Sequence, residues 1–211
     1  MDGAVAESVT IVNVGYRSTN YWMVSAGRSR VLVDLGWPGS MGQMRANLRR
    51  MDVPLEEIRY GMATHYHIDH AGAAQELKLA GVPLLVLEVQ VEAIPRMKRW
   101  TKPRDHYLEI TVDNTTMDDN VVISCDESRA LLAEIGIPGE ILHTPGHSDD
   151  SVSLVLDDGA VFTGDLTPPQ YVGTEDPAVV RRSWRLLREH GASRVYPAHG
   201  PVRPMEAYTV R

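Results

Sequence analysis

An α/β fold in layers is what this sequence predicts, and three observations predict it. Short runs rich in Val, Ile and Leu alternate with stretches of helical periodicity on both sides of the middle of the chain. Clusters of Gly, Ser, Asn and Pro punctuate the junctions between them. No low-complexity linker divides the 211 residues, so 1–211 reads as one domain.

Thr10 to Gly15, Tyr21 to Gly27 and Arg30 to Gly36 have the β-branched and aromatic content of strands, with turn residues between them. Ser40 to Met51 changes period: Met44, Leu48 and Met51 recur at helical spacing, and Met41, Met44 and Met51 are expected to pack one face. Ile58 to Ala63 is the next strand. A polar stretch leads into a helix expected over Ala71 to Ala80, which Gly81 stops. Pro83 to Leu87 reads as a strand and Glu88 to Met97 as a helix whose end Pro95 blurs. In the second half, Glu127 to Ile135 is a helix ended by Gly136. Glu140 to Thr144, Ser151 to Leu156 and Ala160 to Thr163 are strands, Pro177 to His190 is a helix and Ser193 to Pro197 a last strand.

Composition narrows the class. Apolar residues at 43 % and charged residues at 23 % are ordinary globular usage, which argues against disorder or a fibrous repeat. The formal charge of −7, with a sequence pI near 5.6, weighs against a nucleic-acid partner. The single cysteine, Cys125, suits a reducing compartment. Met1 to Thr10 has no apolar core of the secretory kind, and Val82 to Val91, the richest apolar run, is interrupted by Pro83 and Glu88. The expectation is a soluble cytoplasmic protein without a membrane partner; nothing in the pattern speaks to its oligomeric state.

The chemistry is concentrated in the histidines. Thr64-His65-Tyr66-His67-Ile68-Asp69-His70 follows a strand directly. In extended backbone His65 and His67 leave the chain on the same side. Imidazole and carboxylate are the usual zinc donors, and four of them within six residues crowd one tetrahedral ion but suit two adjacent ions. With eight histidines in the chain, an H-x-H-x-D-H run arises by accident in about one such sequence per thousand. His147, Asp165 and His199 each follow a later strand, beside small residues that allow close backbone approach.

In these residues the sequence resembles the metallo-β-lactamase-fold hydrolases. His65, His67, Asp69 and His70, then His147, Asp165 and His199, stand in that family's order. The resemblance runs from Leu32-Val33-Asp34-Leu35-Gly36 to Pro201. It implies a four-layer αβ/βα sandwich, two mixed sheets flanked by helices with metals at one edge. It assigns His65, His67 and His147 to a first divalent ion, Asp69, His70 and His199 to a second, and Asp165 to a bridge between them. Asp34 matches a position that supports the ligand loop from behind.

The implied reaction is hydrolysis by a hydroxide bridging the two ions, which lower the pKa of their shared water to about 7. The implied substrate is small: an ester, lactone or thioester. Asp69 or a metal-bound water would carry the proton. Zinc is the expected metal, with iron and manganese also suited to such donors. β-Lactamases of the fold usually carry Cys where Asp165 stands or lack the bridging acid, which disfavours that activity. Tyr171, six positions past Asp165, is a candidate to polarise the carbonyl or protonate the leaving group, against a plain loop tyrosine. Arg96, Lys98, Arg99, Lys102 and Arg104 form a basic stretch around Trp100; it either lines the substrate groove or is a solvated face. That stretch supports a second reading, a phosphodiesterase on a small anionic substrate. A third is a metal-bearing binding module without turnover. His106, His143 and His190 match no motif. Asp126 and Glu127 beside Cys125 argue against a reactive thiol.

Overall fold

The structure, a computed structural model, describes residues 8–111 and 120–209. The first seven residues of the leading segment considered above as a secretory signal lie outside them. Strands β1 (Val9–Asn13), β2 (Trp22–Ala26) and β3 (Ser29–Val33) form an antiparallel meander. Helix α1 (Met41–Arg50) carries the chain over to β4 (Ile58–Met62), which pairs parallel with β3. Short helices α2 (Ile68–Ala71) and α3 (Ala74–Leu79) lead to β5 (Leu84–Leu87), a 3₁₀ helix follows over Glu88–Trp100, and β6 (Asn120–Ile123) closes a six-stranded sheet in the order 1-2-3-4-5-6. Helix α4 (Ser128–Glu134) precedes β7 (Gly139–His143), β8 (Val152–Leu156) and β9 (Ala160–Gly164). Helix α5 (Pro177–Glu189), β10 (Arg194–Pro197) and the two-residue β11 (Arg203–Pro204) complete a second mixed sheet in the order 11-10-9-8-7.

Strand alternation sorts the side chains into layers. On the six-stranded sheet, Met23, Leu32, Leu84 and Val86 face α1, α3 and the 3₁₀ helix, where they join Met44, Leu48, Leu77 and Ile94. Their neighbours Val24, Val31, Val33, Leu85 and Leu87 point the other way, into a dry interlayer shared with Leu154, Leu156 and Phe162. On the outer face of the second sheet Val155, Val161 and Val195 pack under Val180, Trp184 and Leu187 of α5. Burial on both faces explains why these strands read as continuous apolar runs. The four-layer sandwich of two mixed sheets is therefore present as expected.

Four expectations need correcting. The helix placed over Ala71 to Ala80 is two helices, the first beginning at Ile68 and the break falling at Gly72-Ala73. The segment after β5 is a 3₁₀ helix that accommodates Pro95 and runs on to Trp100. Strand β6 was not anticipated, since four residues at a sheet edge carry little pattern. Met51 caps α1 at 42 % exposure and does not join the buried face of Met41 and Met44.

Gly72, whose own backbone is helical, is closely packed at the break. A Cβ there would run into the Ile68 carbonyl oxygen and Pro38 Cδ, so the ligand turn can press on the loop after β3 only without a side chain. Gly72→Ala is expected to lower folding stability by about 1–3 kcal/mol, as overpacking does, read as a shifted urea midpoint. An unchanged midpoint would contradict this close packing. Among the described residues, no helix is long and apolar enough to cross a membrane.

Candidate metal centre

Every sequence-selected donor leaves the fold where a strand has just ended. His65 and His67 lie in the turn after β4, and Asp69 and His70 lie in the first turn of α2. His147 lies between β7 and β8, Asp165 directly after β9 and His199 after β10. Hydrogen bonds lash these loops to one rim. Val152 N–H donates to the Thr64 carbonyl at 2.8 Å, Ala198 N–H to the Gly164 carbonyl at 3.0 Å, and Asn20 N–H to the Ala198 carbonyl at 2.7 Å.

The donors converge in overlapping sets: His65, His67 and His147; His65, His70 and Asp165; Asp69, His70 and His199, with one ligand atom from each residue lying within 4.8 Å of the others in its set. The pairwise distances are informative. His67 Nδ1 and His147 Nε2 are 3.1 Å apart, His199 Nε2 and Asp69 Oδ2 3.2 Å, and His70 Nε2 lies 3.4 Å from Asp165 Oδ2. Ligand atoms sharing one tetrahedral zinc at its usual bond length stand about 3.3 Å apart. Asp165 leans both ways, Oδ1 at 3.4 Å from His199 Nε2 and Oδ2 at 3.8 Å from His147 Nε2.

The centre holds its donors by their far atoms. Asp34 is buried with a left-handed φ of +64°, a conformation Asp tolerates better than most residues. Its Oδ1 accepts from the backbone N–H and the hydroxyl of Thr64, each at 2.8 Å, and its Oδ2 lies 3.0 Å from His70 Nδ1. That bond directs Nε2 of His70 to the donor cluster. His199 Nδ1–H donates to the Ser18 carbonyl at 2.7 Å with the same effect. Thr19 donates to Asp69 Oδ2 at 3.3 Å. The atoms left over are the ones a cation would need: Nε2 of His65, Nε2 of His70 and Oδ1 of Asp165 are buried without a hydrogen-bond partner. Buried polar atoms are seldom left so, and three in one cluster fit a metal site.

Electrostatics separate the histidines. Burial, helped by the charge on His70, pushes His65 well below the usual imidazole range, and burial and His147 lower His67. Both are therefore neutral, with a lone pair to give. His70 differs: burial opposes its charge, but the carboxylates of Asp34 and Asp165 raise it to about 10. The carboxylates of Asp165 and Asp69, 3.4 and 3.2 Å from its Nε2, raise His199 to about 11. Burial also opposes the charge of Asp165, yet His199 and His70 outweigh it and hold the carboxyl well below the usual range. Asp69 is lowered in the same way, chiefly by His199 against the cost of burial.

Sequence reasoning missed several supports. Thr19 and the Ser18 carbonyl come from the turn between β1 and β2, fifty or more residues from the donors they hold. Gln90, fully buried, donates to the carbonyls of Ala63 and Asp150, while Asp150 accepts from Tyr66 N–H at 2.7 Å. No local spacing announces such contacts. Tyr171 ends a short 3₁₀ turn at 75 % exposure, outside the donor sets. Of the basic stretch, Arg96 and Trp100 border the groove beside His67 and His147, whereas Lys98 pairs with Glu109 at 2.6 Å. His143 bonds the Asp149 carbonyl and His190 pairs with Glu140, so neither joins the centre.

Cys125 is half-buried, and burial together with Asp126 pushes its thiol up. With the folded pKa raised, thiolate forms only at higher pH. Iodoacetamide should therefore alkylate the folded chain more slowly than the urea-unfolded chain at pH 8, with a rate still climbing above pH 9. Equal rates would contradict this.

Comparison with known proteins places the chain in a family and agrees with its fold. A sequence model of the metallo-beta-lactamase superfamily matches residues 14–199. A probable metallo-hydrolase of Methanocaldococcus jannaschii is 26 % identical over 209 residues, covering 92 % of this chain and 93 % of its own. A lactamase-like protein of Pestalotiopsis microspora is 27 % identical over 190 residues, and an atrochrysone carboxyl ACP thioesterase of Aspergillus novofumigatus 28 % over 194; each alignment covers 88 % of this chain. This chain spans about half the length of those two. Among solved structures, TTHA1623 in a di-iron-bound form superposes with a TM-score of 0.70 at 24 % identity, covering 94 % of this chain and 96 % of that one.

Proposed function

The chain belongs to the metallo-beta-lactamase superfamily, and from that premise we propose that it is a dinuclear metal-dependent hydrolase of an ester, lactone or thioester. The observation that carries the reading is the convergence of seven imidazole and carboxylate side chains on one rim, with buried ligand atoms of His65, His70 and Asp165 left unpartnered. His65, His67 and His147 would hold one ion, Asp69, His70 and His199 the other, and Asp165 both. Two divalent ions supply, when bound, an acidified water and a polarised carbonyl. Imidazole and carboxylate donors favour zinc; the di-iron state of a structural relative makes iron the next choice.

The chain's own residues do the rest. Asp69 is ionised at neutral pH and is held at Oδ2 by Thr19 and His199. It can take the proton of the attacking water and return it to the leaving group. His65 lies 99 % buried beneath the rim, so the floor of the centre is dry and its charges are weakly screened. Of the basic stretch Arg96 alone lines the groove, which supports an ester, lactone or thioester over a phosphodiester. Two curated relatives are named thioesterases, which favours acyl substrates.

The test is a metal-loaded preparation offered a lactone, a thioester, an aryl phosphodiester and a chromogenic cephalosporin. Turnover of the first or second, abolished by a chelator and restored by zinc or iron, is expected. Phosphodiester cleavage alone, or full metal content with no turnover of any substrate, would contradict the reading.

A further inference from the structure

A groove of about 520 Å³ opens from the rim of the centre, with His67 and His147 at its inner end. Its opposite wall is the 3₁₀ helix Glu88–Trp100, which presents Val89, Ala93, Arg96 and Trp100 to it. The helix is anchored from behind: Ile94 and Met97 are buried in the core, and Gln90 bonds the carbonyls of Ala63 and Asp150 on either side of the donor loops. The wall is therefore fixed relative to His65 and His67.

Two features of that wall are unusual beside so polar a centre. Trp100 is 68 % exposed and Val89 43 %, so a large apolar surface faces solvent at the mouth of the site. The charge around them is not that of an anion funnel, because Glu92 and Asp149 line the groove together with the lone cation Arg96. A strongly anionic substrate would meet more carboxylate than guanidinium there. The volume falls within the range of sites that bury most of a small ligand.

We infer that this groove seats an uncharged apolar arm of the substrate, an acyl chain or aryl group, with Trp100 and Val89 as the residues that set specificity for it. The inference rests on the ester or thioester reading above and narrows it. An arm lying from His67 along Val89 to Trp100 places the carbonyl beside the donors while its carbons cover both exposed side chains. Each methylene buried there would favour the longer substrate by about two- to fourfold.

The experiment uses the metal-loaded protein and p-nitrophenyl esters from acetate to octanoate. The expected result is a kcat/KM that rises with chain length, and a ratio of octanoate to acetate that falls on the order of tenfold in Trp100→Ala. Leu79→Ala, which removes another exposed apolar side chain that does not border the groove, should keep the wild-type ratio. An unaltered ratio in Trp100→Ala would overturn the inference. If no p-nitrophenyl ester is turned over, the hydrolase reading is decided by the lactone and thioester assays above, and the groove is tested by titrating octanamide against the tryptophan fluorescence of the wild type and of Trp100→Ala. A saturable shift in the wild type that Val89→Asp abolishes supports the inference; no saturable shift up to the solubility limit overturns it.

Discussion

Asp165→Ala is expected to lower hydrolysis at least about a hundredfold and to release at least one metal ion. Loss of even an outer partner of a metal ligand commonly costs about 10–100-fold, and Asp165 touches donors of both proposed sets. Its carboxylate is also the charge that His70 and His199 share. Removing it takes away both the carboxylate that His70 and His199 face and a negative charge that would favour bound cations. Metal content by elemental analysis and initial rates on the same preparation read both effects. A variant that keeps two tightly held ions and full rate would show that Asp165 is not the link between the sites.

The second large effect is expected at a residue outside the donor sets. Asp34 holds Thr64 through two hydrogen bonds and His70 through a third, all buried. Asp34→Ala strands those partners and puts alanine at a φ of +64°, so a cost of about 3–5 kcal/mol is expected, as when one member of a buried pair is removed. Asp34→Asn is the sharper test. Asn tolerates the backbone and keeps the shape, but its amide nitrogen can face His70 Nδ1. That would turn Nδ1 into an acceptor and move the ring proton to Nε2, the atom needed for the metal. Metal affinity in a chelator competition should fall about 10–100-fold, with thermal unfolding near that of the wild type. Unchanged affinity would mean that Asp34 does not set the His70 tautomer.

What could be read from the sequence follows from the range of the interactions. His65, His67, Asp69 and His70 sit within six residues, so their chemistry is visible as spacing, and the later donors each follow a strand with an apolar signature. The layers were legible because strands buried on both faces are apolar throughout. The supports were not. Thr19 meets Asp69 only because the turn between β1 and β2 folds over the rim, and Gln90 reaches two donor loops from a helix whose own period is blurred by Pro95. The space that only glycine fits at position 72 is set in part by Pro38, more than thirty residues away. Trp100 was visible as an aromatic in a basic stretch, but its place at the mouth of the groove comes from the packing of Ile94 and Met97 beneath it.

Anomalous diffraction from crystals of the zinc-loaded chain would locate the ions themselves. Two peaks per chain are expected, roughly 3.5–4 Å apart, one among His65, His67 and His147 and one among Asp69, His70 and His199, with Asp165 between them. A single peak, or ions bound away from these seven side chains, would contradict the two-ion centre.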